Sequence, residues 1–141
     1  MVEDDEARSA GFAPARFTPG FLDHGGPYWL KAGDGGTLVG LRMADHHMNY
    51  RDMAHGGVLT TLADVALSYQ AYASESPPVP VATASLTTNF LEPARLGDWL
   101  VADARIDRIG GRNAHVSGRI MRGEDVLATM SGVFTLHRKG A

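Results

Sequence analysis

The chain has 141 residues, of which 44% are hydrophobic and 21% charged, a balance that fits one folded domain and excludes disorder as the main state. It has no cysteine, which rules out disulfide frameworks, zinc–thiolate sites and thiol nucleophiles. Thirteen basic against sixteen acidic side chains leave a formal charge of −3, so nothing draws the chain to nucleic acid in general and no nucleic-acid partner is expected.

Residues 1–20 mix acidic residues with Pro14 and Pro19 and read as a loose N-terminal arm with room for one short helix. The opening MVEDDEARSA has no apolar core of the kind a secretory signal needs. Residues 21–141 read as a single domain. Tyr28–Lys31 and Thr37–Met43 form two strands around the Gly33-Asp34-Gly35-Gly36 turn, whose Asp-Gly and Gly-Gly pairs supply the positive φ of a tight hairpin. A polar connection, Ala44–Ala54, follows.

From Val58 to Ser74 the sequence VLTTLADVALSYQAYAS has no glycine or proline and repeats apolar residues at helical spacing. Being apolar on nearly every side, it predicts a buried helix. It is interrupted by Asp64, Ser68 and Gln70 and is too short for a ~30 Å hydrocarbon core, so no membrane partner is expected and a cytoplasmic location is. Pro77, Pro78 and Pro80 stop it. Four period-two segments complete the chain, at 81–91, 99–108, 113–121 and 126–136, with turns at Pro93–Gly97, Gly110-Gly111 and Gly123–Asp125. In the first of them Ala82, Ala84, Leu86, Thr88 and Phe90 share a face. One long buried helix against one antiparallel sheet is an α+β layout.

The chemistry concentrates between Asn49 and Asp64. Gly56-Gly57 stands directly before the helix, where first-turn N–H groups are unpaired and the dipole is positive; no side chain covers them, so an oxyanion or polarised carbonyl can approach. A tight turn that lets the helix pack closely explains the same two glycines. Asp64 is the single charged residue between Val58 and Ser74. A buried unpaired carboxylate is costly, so Asp64 has either a structural partner or a chemical task. Eight residues separate Gly56 from Asp64, which is ~12 Å along a helix. Both cannot touch one carbonyl carbon from the same chain. If they form one site, the carboxylate comes from a second copy, through a two-fold interface with two equivalent sites.

Asn49, then His55-Gly56-Gly57, then Leu62-Ala63-Asp64, followed by Phe90-Leu91-Glu92-Pro93-Ala94-Arg95-Leu96-Gly97-Asp98, resembles the signature of hotdog-fold acyl-CoA thioesterases of the phenylacetate-pathway (PaaI-like) type. The resemblance covers residues 37–136 or so. It implies a hotdog fold, with the sheet wrapped around the helix, and hydrolysis of an acyl-CoA or aryl-CoA thioester to the free acid and coenzyme A. It gives the Gly56 amide the task of polarising the thioester carbonyl, and Asp64 of the facing subunit that of general base or nucleophile. Asn49 and His55 place the thioester and shape the turn, and Thr83, found by counting back from Pro93, assists the water. No cofactor is implied. A homodimer is the minimal unit, and a homotetramer is usual for the family.

The alternative is a non-catalytic hotdog module that binds acyl-CoA or a small aromatic ligand, and a hydratase of the same fold fits the Asp and His arrangement less well. A metal at His46, His47 and His55 is not expected, since adjacent histidines rarely share an ion and no further ligand is suitably spaced. Arginine suits the phosphates of coenzyme A, but nothing singles out one of Arg95, Arg108, Arg112, Arg119 and Arg122.

Overall fold

The computed structural model describes residues 3–139. In chain order its elements are α1 (Asp5–Ser9), β1 (Ala13–Pro14), α2 (Leu22–Gly25), β2 (Tyr28–Gly33), β3 (Gly36–Arg42), a 3₁₀ turn (Asp45–His47), α3 (Gly56–Tyr72), β4 (Val81–Phe90), β5 (Trp99–Ile109), β6 (Asn113–Arg122) and β7 (Asp125–Leu136). The strands make one sheet in the order β1-β2-β3-β5-β6-β7-β4, and every pairing is antiparallel. The β2–β3 hairpin closes as its composition requires. Gly33 pairs with Gly36 across Asp34-Gly35, and Gly36 takes a φ of +140°.

Helix α3 lies across the sheet and touches β3, β4, β5, β6 and β7. Leu59, Leu62, Ala63, Val65, Ala66, Leu67 and Ala71 are buried against strand residues such as Leu41, Leu100, Ile120 and Phe134. The opposite side, with Thr60, Thr61, Asp64 and Ser68, stays half-buried. Within one chain, then, the sheet covers one side of α3. No described helix is long and apolar enough to cross a membrane.

Residues 3–14 are packed rather than loose. Asp4 caps α1 by accepting from the Ala7 N–H, and its carboxylate also meets the Arg42 guanidinium at 2.9 Å. Ala7 and Phe12 bury against Trp29, and β1 adds to the sheet through Ala13↔Leu30 and Pro14↔Trp29. These partners are distant in sequence, so residues 3–14 give no local periodic sign of their order.

Strand β4 carries the irregularity that matters most. Thr83 pairs with Phe134 and Ser85 with Val133, so Ala84 is an extra residue on the β4 side. The bulge turns the alternation over. Thr83 joins Leu86 and Thr88 on the helix side, whereas strict alternation would place it opposite them.

Candidate functional site

His55 is the N-cap of α3. Its Nδ1 accepts the Gly57 N–H at 2.8 Å, which satisfies one of the unpaired donors of the first turn. The two glycines are thereby distinguished. The Gly57 amide is used by the cap, while the Gly56 N–H donates to no described residue. A Cβ added at Gly57 would crowd the His55 ring at 3.0 Å, but at Gly56 it would meet only the Phe90 ring at an ordinary 3.5 Å. Nor does Gly56 have a positive φ. The packing of the chain itself does not demand glycine at 56, which weakens the tight-turn explanation there.

Asn49 lies in the loop before the helix. Its Oδ1 accepts from the Arg51 and Met53 N–H groups at 2.8 and 3.1 Å, and its own N–H donates to the Met53 carbonyl at 2.7 Å. This closes the loop with one side of the amide and leaves Nδ2 without a partner among the described residues. Asn49 and Gly56 line one open cleft of about 310 Å³, together with Met53, Leu59, Phe90 and Pro93. Glu92, two residues past the end of β4, and Asp98 in the following turn are tied to Arg122, so Arg122 supports the turn.

Asp64 opens on another side. Thr83 Oγ1 donates to Asp64 Oδ1 at 2.7 Å, a bond made possible by the bulge at Ala84. The cleft around them, about 350 Å³, is walled by Phe21, Leu22, Thr60, Thr61 and Leu86. Thr60 and Thr88 hydroxyls meet at 3.3 Å and fasten α3 to β4 beside it. Asp64 is half-buried rather than buried, and among the described residues it forms no salt bridge. Within one chain, then, Asn49, His55 and Gly56 gather at the start of α3, and Asp64 and Thr83 gather two turns further on, in a separate cleft. Phe21 and Leu22 were not singled out from the sequence. An isolated Phe-Leu pair between a glycine and an aspartate carries no signal of its destination.

The adjacent histidines serve the backbone. His46 Nε2 donates to the Gly26 carbonyl at 2.8 Å and His47 Nε2 to the Gly25 carbonyl at 2.6 Å. His47 Nδ1 accepts the Ala44 N–H at 2.9 Å. Desolvation of its buried ring holds the His47 pKa below the usual histidine range, in keeping with a neutral ring whose two nitrogens are both engaged.

The family model of the thioesterase superfamily matches residues 52–129. A protein of Pseudomonas aeruginosa, provisionally named an esterase, is 42% identical over 127 residues, 89% of this chain and 95% of its own length. Another from Deinococcus radiodurans, with the same provisional name, is 34% identical over 73% of this chain and 69% of its own length. Among solved structures, a Bacillus halodurans protein crystallised with CoA superposes with a TM-score of 0.71 at 24% identity, covering 78% of this chain and 74% of that one. A Streptococcus mutans protein bound to acetyl CoA gives 0.70 at 22% identity, covering 87% and 93%. At these identities the two structures speak for the fold.

Proposed function

Because the chain belongs to the thioesterase superfamily and has its hotdog fold, we propose that it hydrolyses an acyl-CoA or aryl-CoA thioester, as a cytoplasmic enzyme, at a site shared between two copies of the chain. The observation that carries the reading is the division of labour along α3. An unpartnered amide that packing does not require to be glycine's stands at residue 56, and a carboxylate held by a threonine stands at residue 64. They lie ~12 Å apart on one helix and open into different clefts. Two helices packed antiparallel about a two-fold axis bring the amide of one to the carboxylate of the other.

Strand β4 supports the same pairing. It is a sheet edge ten residues long, without proline or charge, the kind of edge that proteins usually protect. A second copy laid along it would cover both the edge and the half-open side of α3. The homodimer is then the minimal unit, and pairing of dimers into a tetramer is the assembly that the family resemblance suggests.

In the shared site the Gly56 N–H and the positive end of α3 polarise the thioester carbonyl, and the Asn49 amide and His55 position it. Thr83 donates to one oxygen of Asp64 on the facing subunit, which leaves the other to take a proton from water. The water oxygen bonds to the carbonyl carbon, the carbon–sulfur bond breaks, and the departing thiolate recovers the proton from Asp64. The products are the free acid and coenzyme A. That two structural neighbours carry CoA or acetyl CoA accords with this substrate class.

A thiol-release assay over a panel of acyl-CoA and aryl-CoA esters tests the activity, with release expected for at least one class. Binding without release would instead give a non-catalytic acyl-CoA module. The sharing is tested by refolding Asp64→Asn chains with Gly56→Val chains. Mixed dimers should regain about one good site of two, and a mixture as inactive as either parent would place the whole site within one chain.

A further inference from the structure

Packing within the subunit does not account for one wall of the Asp64 cleft. Phe21 is 71% exposed, and no other ring among the described residues pairs with it. Its neighbour Leu22 packs on the core. Both line the cleft of about 350 Å³ that holds Asp64 and Thr83.

The turn that presents Phe21 is held from several sides. The Gly20 N–H donates to the Asp23 carboxylate at 3.0 Å, the Asp23 N–H donates back to the Gly20 carbonyl at 3.1 Å, and the His24 N–H to the Phe21 carbonyl at 3.1 Å. His46 and His47 hold the far end of the turn through the carbonyls of Gly26 and Gly25. The His47 carbonyl also accepts the His55 N–H at 2.9 Å, which ties the turn to the N-cap of α3. The wall is therefore in place before a ligand arrives, and no element has to move for a ligand to touch it.

The remaining lining groups show which part of a thioester suits this cleft. Thr61 Oγ1 donates to the Gly57 carbonyl at 2.7 Å, the Thr60 and Thr88 hydroxyls meet at 3.3 Å, and Thr83 is bonded to Asp64. Apart from Asp64, the polar side chains of the lining are thus engaged with one another or with backbone, and none of the described lining residues is cationic. The amides of a pantetheine arm would find no free partner here, and the phosphates of coenzyme A would meet only the charge of Asp64. A hydrocarbon chain needs neither. Its first carbon is bonded to the carbonyl that Asp64 must reach, so the chain starts in this cleft. The volume of about 350 Å³ stands at the small end of the ~300–1,000 Å³ of small-molecule sites, which suits a short or medium chain.

We infer that Phe21, with Leu22 and Leu86, is the acyl-binding wall of the Asp64 cleft and that it selects thioesters of hydrocarbon acids without a charge at the far end. The inference rests on the thioesterase reading above and gives it a substrate class and a specificity-determining residue. Each methylene laid against the wall leaves water, which raises kcat/KM about fourfold per carbon until the cleft is filled.

The test compares kcat/KM for acetyl-, butanoyl-, hexanoyl-, octanoyl- and adipoyl-CoA in the wild-type chain, Phe21→Ala and Phe21→Lys. The wild type should favour hexanoyl over adipoyl, its equal in length with a terminal carboxylate, by at least about tenfold. Phe21→Ala changes an exposed position, so its thermal midpoint should hold, while the ratio of its best ester to acetyl-CoA should fall about tenfold. Phe21→Lys should raise the adipoyl-to-hexanoyl ratio at least about tenfold, a gain that a merely structural role for Phe21 would not produce. Unaltered ratios in both variants would overturn the inference while leaving the thioesterase reading intact. So would a Phe21→Ala chain that dissociates in ultracentrifugation with its ratios unchanged, since the ring would then belong to the contact between copies. A wild type that prefers adipoyl-CoA would overturn the substrate class. If no ester is hydrolysed, the thioesterase reading fails by itself. Calorimetry with S-hexyl-CoA, a thioether that cannot be hydrolysed, then decides the wall: about tenfold weaker binding to Phe21→Ala, relative to free CoA, supports it, and an equal change for both ligands overturns it.

Discussion

At one edge of the sheet, β2 is covered by the two-residue β1, which contains Pro14, and by α1 and Phe12 packed on Trp29. At the other edge β4 runs for ten residues with a neighbour on one side only, and most of its side chains are exposed. Both are edges of the same twisted layer, yet the chain spends its N-terminal residues on sealing the first and nothing on the second. Sealing from within needs a short strand, a proline that offers no N–H, and apolar anchors. Leaving β4 uncharged and unsealed is the opposite choice, and the proposed catalytic pair Asp64 and Thr83 stands beside it. The closed edge stabilises the subunit, and the open one is where, in the proposed dimer, a second copy would complete the site.

The largest expected effect falls on the open side. Asp64→Asn preserves shape and removes the proton acceptor, and turnover should drop at least ~100-fold with the oligomer unchanged by sedimentation. Near-normal turnover of the folded variant would sink the assignment. The edges themselves can be compared with one added charge each. Ala84→Lys places two lysines in the proposed two-fold interface and should weaken the dimer about thirtyfold, about 2 kcal/mol, with activity falling in step at low protein concentration. Ala13→Lys, on the edge already covered by β1, should leave both unaltered. Equal behaviour of the two variants in analytical ultracentrifugation would remove the distinction between the edges.

Smaller effects sharpen the picture. Thr83→Val deletes the hydrogen bond to Asp64 but keeps the side-chain volume, and kcat should fall about tenfold with little change in thermal midpoint. On the sealed side the expected signature is acid sensitivity. His47 links Ala44 to Gly25 only as a neutral ring, and its folded pKa is depressed by desolvation below the unfolded ~6.5. Its contribution is therefore fully present above ~6.5 and is lost as pH falls through the lower folded value, because the unfolded chain binds the proton more readily. Melting temperatures measured across that range should decline toward acid, and His47→Gln should flatten this decline while lowering the neutral plateau. A wild-type profile that is flat there would contradict the role given to the ring.

Much of the fold is legible locally. The Asp34-Gly35 hairpin, the helix that ends before Pro77, and the alternating strands from Trp99 onward depend on turn chemistry and periodicity that neighbouring residues carry. The motif from Asn49 to Asp64 likewise holds most of the residues of the proposed site, and the ~12 Å spacing of Gly56 and Asp64 along α3 already separates them within one chain. Other features depend on contacts between distant segments. Which of two adjacent glycine amides stays open is decided by the His55 ring, which uses one of them. Whether Thr83 reaches Asp64 is decided by one extra residue in β4, since alternation alone would turn it to the other face. The order of the N-terminal segment depends on Trp29 and Arg42, and the place of Phe21 on a turn that His46 and His47 hold. Periodicity is a property of consecutive residues and survives in the sequence. Bulges, competition for a hydrogen bond, and packing across the chain depend on partners brought together only by folding, and these set the geometry of the site.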